Sequence, residues 1–226
     1  MVWSWLILTL LGAVLDWTAL LRRWTRVLYF IKPAPIVFLM IWVWQISGLK
    51  NELVWFEAAL FFSLIGDVAL LFPKRFFVGG VAAFGLAHIS YVIGFNQHYP
   101  PWGLEILVLL FVVGIIAFLF YKRLRSKMAR TAAARRKRGL IIGYGLMLCS
   151  MAFSALLTIL RPDWPRPAAF WAGLGGALFF TSDSLLVYSR FALPFSHDRV
   201  WVHVTYHLAQ IALVLGAVMK VCQLVN

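Results

Sequence analysis

Apolar residues in this chain come in long, nearly unbroken runs separated by short polar breaks, not in the stripes of an amphipathic helix or the alternation of a strand. The runs cover approximately 2–21, 28–47, 53–72, 76–96, 102–121, 139–160, 168–189 and 200–221. About 20 helical residues cross the hydrocarbon core, and a helix satisfies its own backbone where no water is present. The pattern predicts an all-α polytopic membrane protein of eight transmembrane helices. Residues 1–226 form a single integral membrane domain, with no room for a separate soluble one. The breaks at Lys50-Asn51-Glu52, Pro73-Lys74-Arg75, Pro100-Pro101 and Arg161-Pro162-Asp163 are poor helix interiors. Lys32, Pro33 and Pro35 fall at the start of the second run, where proline suits a first helical turn. The first run has no basic residue ahead of it and Arg22 and Arg23 just behind, as a retained span has and a cleaved signal peptide does not.

Composition agrees with this reading: 63% of residues are hydrophobic, 13% are charged, and mean hydropathy is +0.87. A net charge of +13 raises the question of nucleic acid, and the position of the charge answers it. Most basic residues lie in short stretches between apolar runs, where they act as topology signals. The loops after spans one, three, five and seven hold four (with Lys32), two, nine and two of the 21 basic residues; the other four are Lys50, Arg161, Arg166 and Lys220. This asymmetry predicts a multi-pass protein of the cell membrane with both termini outside and the odd-numbered loops in the cytoplasm. The segment 122–138 holds nine basic residues and no acidic one. It reads as a basic cytoplasmic loop resting on anionic lipid headgroups; stacking aromatics are lacking apart from Tyr121 at the helix end, so no nucleic-acid partner is expected. Cys149 and Cys222 lie within apolar runs and read as small buried side chains without a disulfide framework.

Ionisable residues inside the membrane are costly, which makes each a functional candidate. Asp67 in span three and Asp183 in span seven lie seven residues before Lys74 and Arg190 respectively, each about 10 Å from the cytoplasmic end. Both spans run in the same direction, so the two carboxylates are expected at one depth, near enough to meet. Tyr206 lies seven residues into span eight, with Gln210 one turn deeper. His88 and Tyr91 on span four are deeper still and are expected to floor a cavity open to the cytoplasmic leaflet. Lys32 supplies a cation for a phosphate or a carboxylate. Asp16 is read as the partner of a neighbouring base. For His88 and the tyrosines the plainer reading is interhelical hydrogen bonding, and for the glycines at 79, 80, 85, 173, 175 and 176 it is close helix packing. A faint internal repeat pairs Asp67, His88 and Tyr91 with Asp183, His203 and Tyr206, which suggests a parallel duplication of two four-helix halves.

Five motifs in order, KPAP at 32–35, SLIGD at 63–67, GGVAAFGLAHISYVIGF at 79–95, GALFFTSDSLL at 176–186 and YHLAQ at 206–210, resemble the YhhN-like lysoplasmalogenase family. The resemblance runs from span two to span eight. It implies an eight-helix membrane hydrolase that cleaves the vinyl ether bond of a lysophospholipid substrate, a lysoplasmalogen, to a fatty aldehyde and a glycerophospho-ethanolamine or -choline. Carried over motif by motif, the site residues are Lys32, Asp67, His88, Tyr91, Asp183, Tyr206 and Gln210. Span one, the long basic loop and the tip of loop six match none of these motifs.

The residues suit that chemistry on their own terms. A vinyl ether is protonated at carbon, and water traps the resulting oxocarbenium ion as a hemiacetal. The step needs a protonated acid and a second group that stabilises the cation and orients water. Two close carboxyls in low dielectric do not both ionise easily, which is the logic of a glycosidase pair. Asp67 and Asp183 are the expected catalytic pair, with Lys32, His88, Tyr91, Tyr206 and Gln210 as substrate-binding groups. No metal or other cofactor is expected, since no compact His/Cys/carboxylate cluster is present in the sequence. The rival readings are a proton-coupled transporter, in which Asp and His form a relay, and a non-catalytic lysolipid-binding protein. An intramembrane aspartyl protease fits poorly: Leu64-Ile65-Gly66-Asp67 lacks the first glycine of its GxGD motif.

Overall fold

The structure, a computed structural model, describes residues 2–48, 52–98, 103–128 and 138–224. The predicted breaks at 50–51 and 100–101 and the greater part of the basic stretch, 129–137, lie outside the described residues. The regular structure of the described residues is all helical: α1 (Val2–Leu21), α2 (Leu28–Ile31), α3 (Ala34–Ser47), α4 (Leu53–Leu71), α5 (Pro73–Phe95), α6 (Leu104–Met128), α7 (Arg138–Leu157, continued by a 3-10 turn at Thr158–Leu160), α8 (Arg166–Phe191) and α9 (Asp198–Leu224). Eight spans are long and apolar enough to cross a membrane, α2 and α3 together forming the second. The protein is a multi-pass membrane protein.

Local sequence sets the helix limits. Pro33 and Pro35 have no N–H to donate to Tyr29 and Ile31, so the second span divides into α2 and α3 at Lys32. Gly48 ends α3 in the left-handed conformation, φ +54°, with its N–H on Trp44 O at 2.8 Å. Pro73 opens α5, which bends at Phe76 (φ −113°, ψ 15°). Glu105 in the first turn of α6 and Arg125 and Lys127 in its last turn match the helix dipole.

The helix pair α8–α9 packs most extensively, followed by α4–α5, α1–α3, α7–α8 and α5–α7. Lipid tails are as apolar as leucine, so helix association in a membrane rests on close contact between small residues. A Cβ on Gly175 of α8 would lie 2.6 Å from Leu213 N of α9, and one on Gly216 of α9 would lie 2.7 Å from Ala168 O and Ala172 N of α8. These two glycines let the backbones touch. Gly79, expected at a packed interface, instead faces open space. Cys149 and Cys222 are free thiols as expected, but they are not buried: Cys149 is half-buried and Cys222 exposed, because both project away from the helix contacts. The repeat gains no support from the contacts. His88 reaches Asp183, whereas His203 reaches Asp16, and Tyr91 reaches Gln210, whereas Tyr206 reaches Asp67.

One end of the bundle is closed by a charged clamp. Buried Arg161 donates to Phe95 O (3.1 Å) and His98 O (2.7 Å), holding the end of α5, and forms a two-point contact with Asp163 (3.1 and 3.3 Å). Lys220 of α9 is 2% exposed and reaches Glu52 at 2.5 Å and Asp163 at 3.5 Å, with its ammonium 5.0 Å above the Trp164 ring. Partial burial pushes the Asp163 carboxyl up, but the Arg161 hydrogen bonds and the Arg161 and Lys220 charges outweigh it and hold the carboxyl below its ordinary range.

Two predictions follow from this packing. Gly216→Leu drives side-chain atoms into the α8 backbone and destabilises by about 1–3 kcal/mol, the cost of overpacking; Gly79→Ala leaves the melting temperature in detergent unchanged or slightly raised. For Asp163, a lowered folded-state value means stability that is present above the unfolded value of about 3.9 and lost as pH falls through the folded one. Wild type therefore melts above Asp163→Asn at neutral pH, and the gap closes below about pH 4.

Candidate active site

At the opposite end of the bundle, the connections after α1, α4 and α8 surround a cavity of about 530 Å³. This is the end that carries Arg22, Arg23, Arg190 and Arg199. Two buried carboxylates face the cavity, Asp67 from α4 and Asp183 from α8. Each has its own donors.

Asp67 Oδ1 lies 3.2 Å from Lys32 Nζ, and Oδ2 accepts from the Tyr206 hydroxyl at 2.7 Å. Lys32 also donates to the Asp67 carbonyl at 3.4 Å. Lys32 lies between α2 and α3, and its ion pair ties the second span to α4. Asp183 Oδ2 accepts from the Tyr144 hydroxyl of α7 and lies 3.2 Å from His88 Nε2 of α5. His88 Nε2 and Tyr144 Oη are 3.1 Å apart, so the three groups close a triangle. The Phe179 ring stands between the two sets, edge-on to Tyr206 (5.6 Å) and to His88 (4.9 Å). Deep in the bundle the sets are thus separated by an aromatic septum; towards the cavity both carboxylates share one space.

Of the expected site residues, Lys32, Asp67, Asp183 and Tyr206 line the cavity. His88, Tyr91 and Gln210 do not floor it; they lie fully buried behind the lining. Tyr91 donates to Gln210 Oε1, and Gln210 Nε2 donates to Ser63 Oγ at 2.9 Å, so these two residues form a chain across α5, α9 and α4. His88 touches Asp183, which does line the cavity.

Three residues join the site that the sequence reading did not place there. Tyr144 is one. It lies six residues beyond Arg138, about 9 Å deep by helical rise, so the depth arithmetic that found the aspartates would have found it. His203 lines the cavity, and its Nδ1 is 2.6 Å from Asp16 Oδ2 of α1, which makes His203 the base that Asp16 was expected to partner. Ser182, beside Asp183, donates to Val202 O at 2.9 Å and also lines the cavity.

The fold and cavity define a polytopic helical membrane protein with two buried carboxylates lining a polar recess at one end of the bundle. The profile of the YhhN family matches residues 27–217, and the chain belongs to that family. It is 32% identical over 191 residues to the human protein named lysoplasmalogenase TMEM86B, covering 83% of this chain and 74% of that one. It is 28% identical over 163 residues to human lysoplasmalogenase TMEM86A, covering 70% and 63%. It is 26% identical over 202 residues to an uncharacterized membrane protein YhhN of Escherichia coli, covering 88% and 90%. No solved structure matches the chain.

The buried chain behind the cavity is expected to hold the fold. Gln210→Leu removes the acceptor of the Tyr91 hydroxyl and the donor to Ser63, and an unsatisfied buried group costs about 1–3 kcal/mol. The melting temperature in detergent falls accordingly.

Proposed function

We propose that this protein is a membrane hydrolase that cleaves the vinyl ether bond of lysoplasmalogens, releasing a fatty aldehyde and a glycerophospho-ethanolamine or -choline. The observation that carries the reading is the pair of carboxylates, held by two different donor sets and facing one cavity. Membership of the YhhN family and the similarity to proteins named lysoplasmalogenases support it.

The roles follow from the partners. Lys32 and Tyr206 fix Asp67 as the negative charge of the site, where it faces the developing cation. Asp183, whose partners are a phenol and an imidazole, is the proton donor. Its proton goes to the vinyl carbon remote from oxygen, the double bond supplies the electron pair, and an oxocarbenium ion forms. Water adds to that ion and returns a proton to Asp183. The hemiacetal then collapses to aldehyde and alcohol, so one water is consumed per bond cleaved. His203, held by Asp16 and lining the same cavity, is placed to orient that water. With the basic loops in the cytoplasm, the site opens at the cytoplasmic leaflet and the segment 122–138 rests on anionic headgroups.

Purified protein in detergent is given lysoplasmalogen, and aldehyde release is measured for wild type, Asp67→Asn and Asp183→Asn. General acid–base groups contribute about 10²–10⁴-fold, so each variant loses at least about 100-fold in kcat while eluting as folded protein. Near wild-type turnover in either folded variant would sink the pair mechanism. Absence of aldehyde from wild type, with substrate-dependent flux in sealed vesicles, would instead identify a transporter.

A further inference from the structure

Asp183 also lines a second cavity. A groove of about 270 Å³ runs between α6, α7 and α8, walled by Phe118 and Phe120 of α6, Ile142 and Gly145 of α7, and Phe180 and Val187 of α8. The wall is mainly apolar; Tyr121, Cys149 and Ser184 also line it, and the hydrogen-bonded Tyr144 hydroxyl and Asp183 carboxylate are where it meets the site. The polar cavity, with Lys32, Arg199 and His203, lies on the other side of the same carboxylate. An ordinary lipid-facing groove has no reason to border a carboxylate, because an ionisable group next to hydrocarbon is costly unless it is used.

We infer that this groove is the binding subsite for the hydrocarbon chain of a single-chain ether lysophospholipid. The inference rests on the reading of the protein as a lysoplasmalogenase. Such a lipid is polar at one end and apolar at the other, and its vinyl ether lies at the boundary. The protein repeats that order, with a cationic polar cavity, then Asp183, then an apolar groove. A headgroup in the cavity and a chain in the groove bring the vinyl carbons to the Asp183 carboxyl. The outer wall is the helix best able to admit a chain. Unlike the other long helices, α6 has very few buried residues, and it packs mainly against α7 and, to a lesser extent, α8.

Gly145 makes the subsite testable. A Cβ added there meets nothing within 4 Å, so a larger side chain fills the groove without displacing protein atoms. Gly114 of α6 also faces open space but does not line the groove, and serves as the control. Binding of saturated alkyl-ether lysophospholipids, which cannot be cleaved, is measured by calorimetry in detergent for octyl and octadecyl chains. In Gly145→Phe the ratio of octadecyl to octyl Kd rises about tenfold, as overpacking of a filled site requires. Gly145→Leu gives a smaller rise and Gly114→Phe keeps the wild-type ratio. An unchanged ratio in both folded Gly145 variants overturns the inference, as does failure of wild type to bind either lipid. A shifted ratio in a protein that releases no aldehyde from lysoplasmalogen would uphold the chain subsite and reject the hydrolase reading.

Discussion

Little water reaches the middle of a bilayer, so the buried polar side chains around the cavity take their partners from other parts of the protein. The rest of the structure follows from that constraint. Each polar contact at the cavity joins different elements: Lys32 in the break of the second span to Asp67 of α4, Asp67 to Tyr206 of α9, Asp183 of α8 to His88 of α5 and Tyr144 of α7, and Asp16 of α1 to His203 of α9. Apolar faces cannot specify neighbours in this solvent, because lipid competes on equal terms. The polar contacts can. α6 shows the converse. It contributes no side chain to this network, and it is the span most loosely attached to the bundle.

The two ends of the bundle use the same physics differently. At the clamp, Arg161 and Lys220 spend their donors on carboxylates and carbonyls, which leaves a closed set of contacts between loops and helices. At the cavity end the contacts stop short of closure. Asp67 and Asp183 are each hydrogen-bonded from the protein side and open on the other to a space of about 530 Å³. A buried carboxylate held by fixed donors beside a cavity has a fixed direction, which is what an acid or a charge stabiliser requires of its scaffold.

Hydropathy made the spans legible, and counting residues from the basic ends made depth legible. Depth is why Lys32, Asp67, Asp183 and Tyr206 could be grouped from sequence, and the structure does bring these four to one cavity. Azimuth was not legible. These helices are apolar on nearly every face, so no stripe tells which way a given side chain points, and His88, Tyr91 and Gln210 turned out to sit behind the lining. Gly79 and the two cysteines were misjudged for the same reason. The clamp was invisible for a different one: Arg161 and Lys220 entered only as members of the basic-residue count, although both are buried in ion pairs.

The proposed chemistry meets a difficulty that the architecture addresses. Vinyl ether hydrolysis needs water for one step, yet the substrate arrives from lipid and the proton donor works best with water kept away from it. A single open pocket would serve one need at the cost of the other. Here Asp183 stands at a boundary, with hydroxyls, a lysine and a histidine on one side and an apolar groove on the other. On the proposed reading, water reaches the oxocarbenium carbon only from the polar side, where Asp67 and His203 stand, while the chain seals the other. Lys32, between α2 and α3, supplies the ammonium of the polar side, 3.2 Å from Asp67 Oδ1.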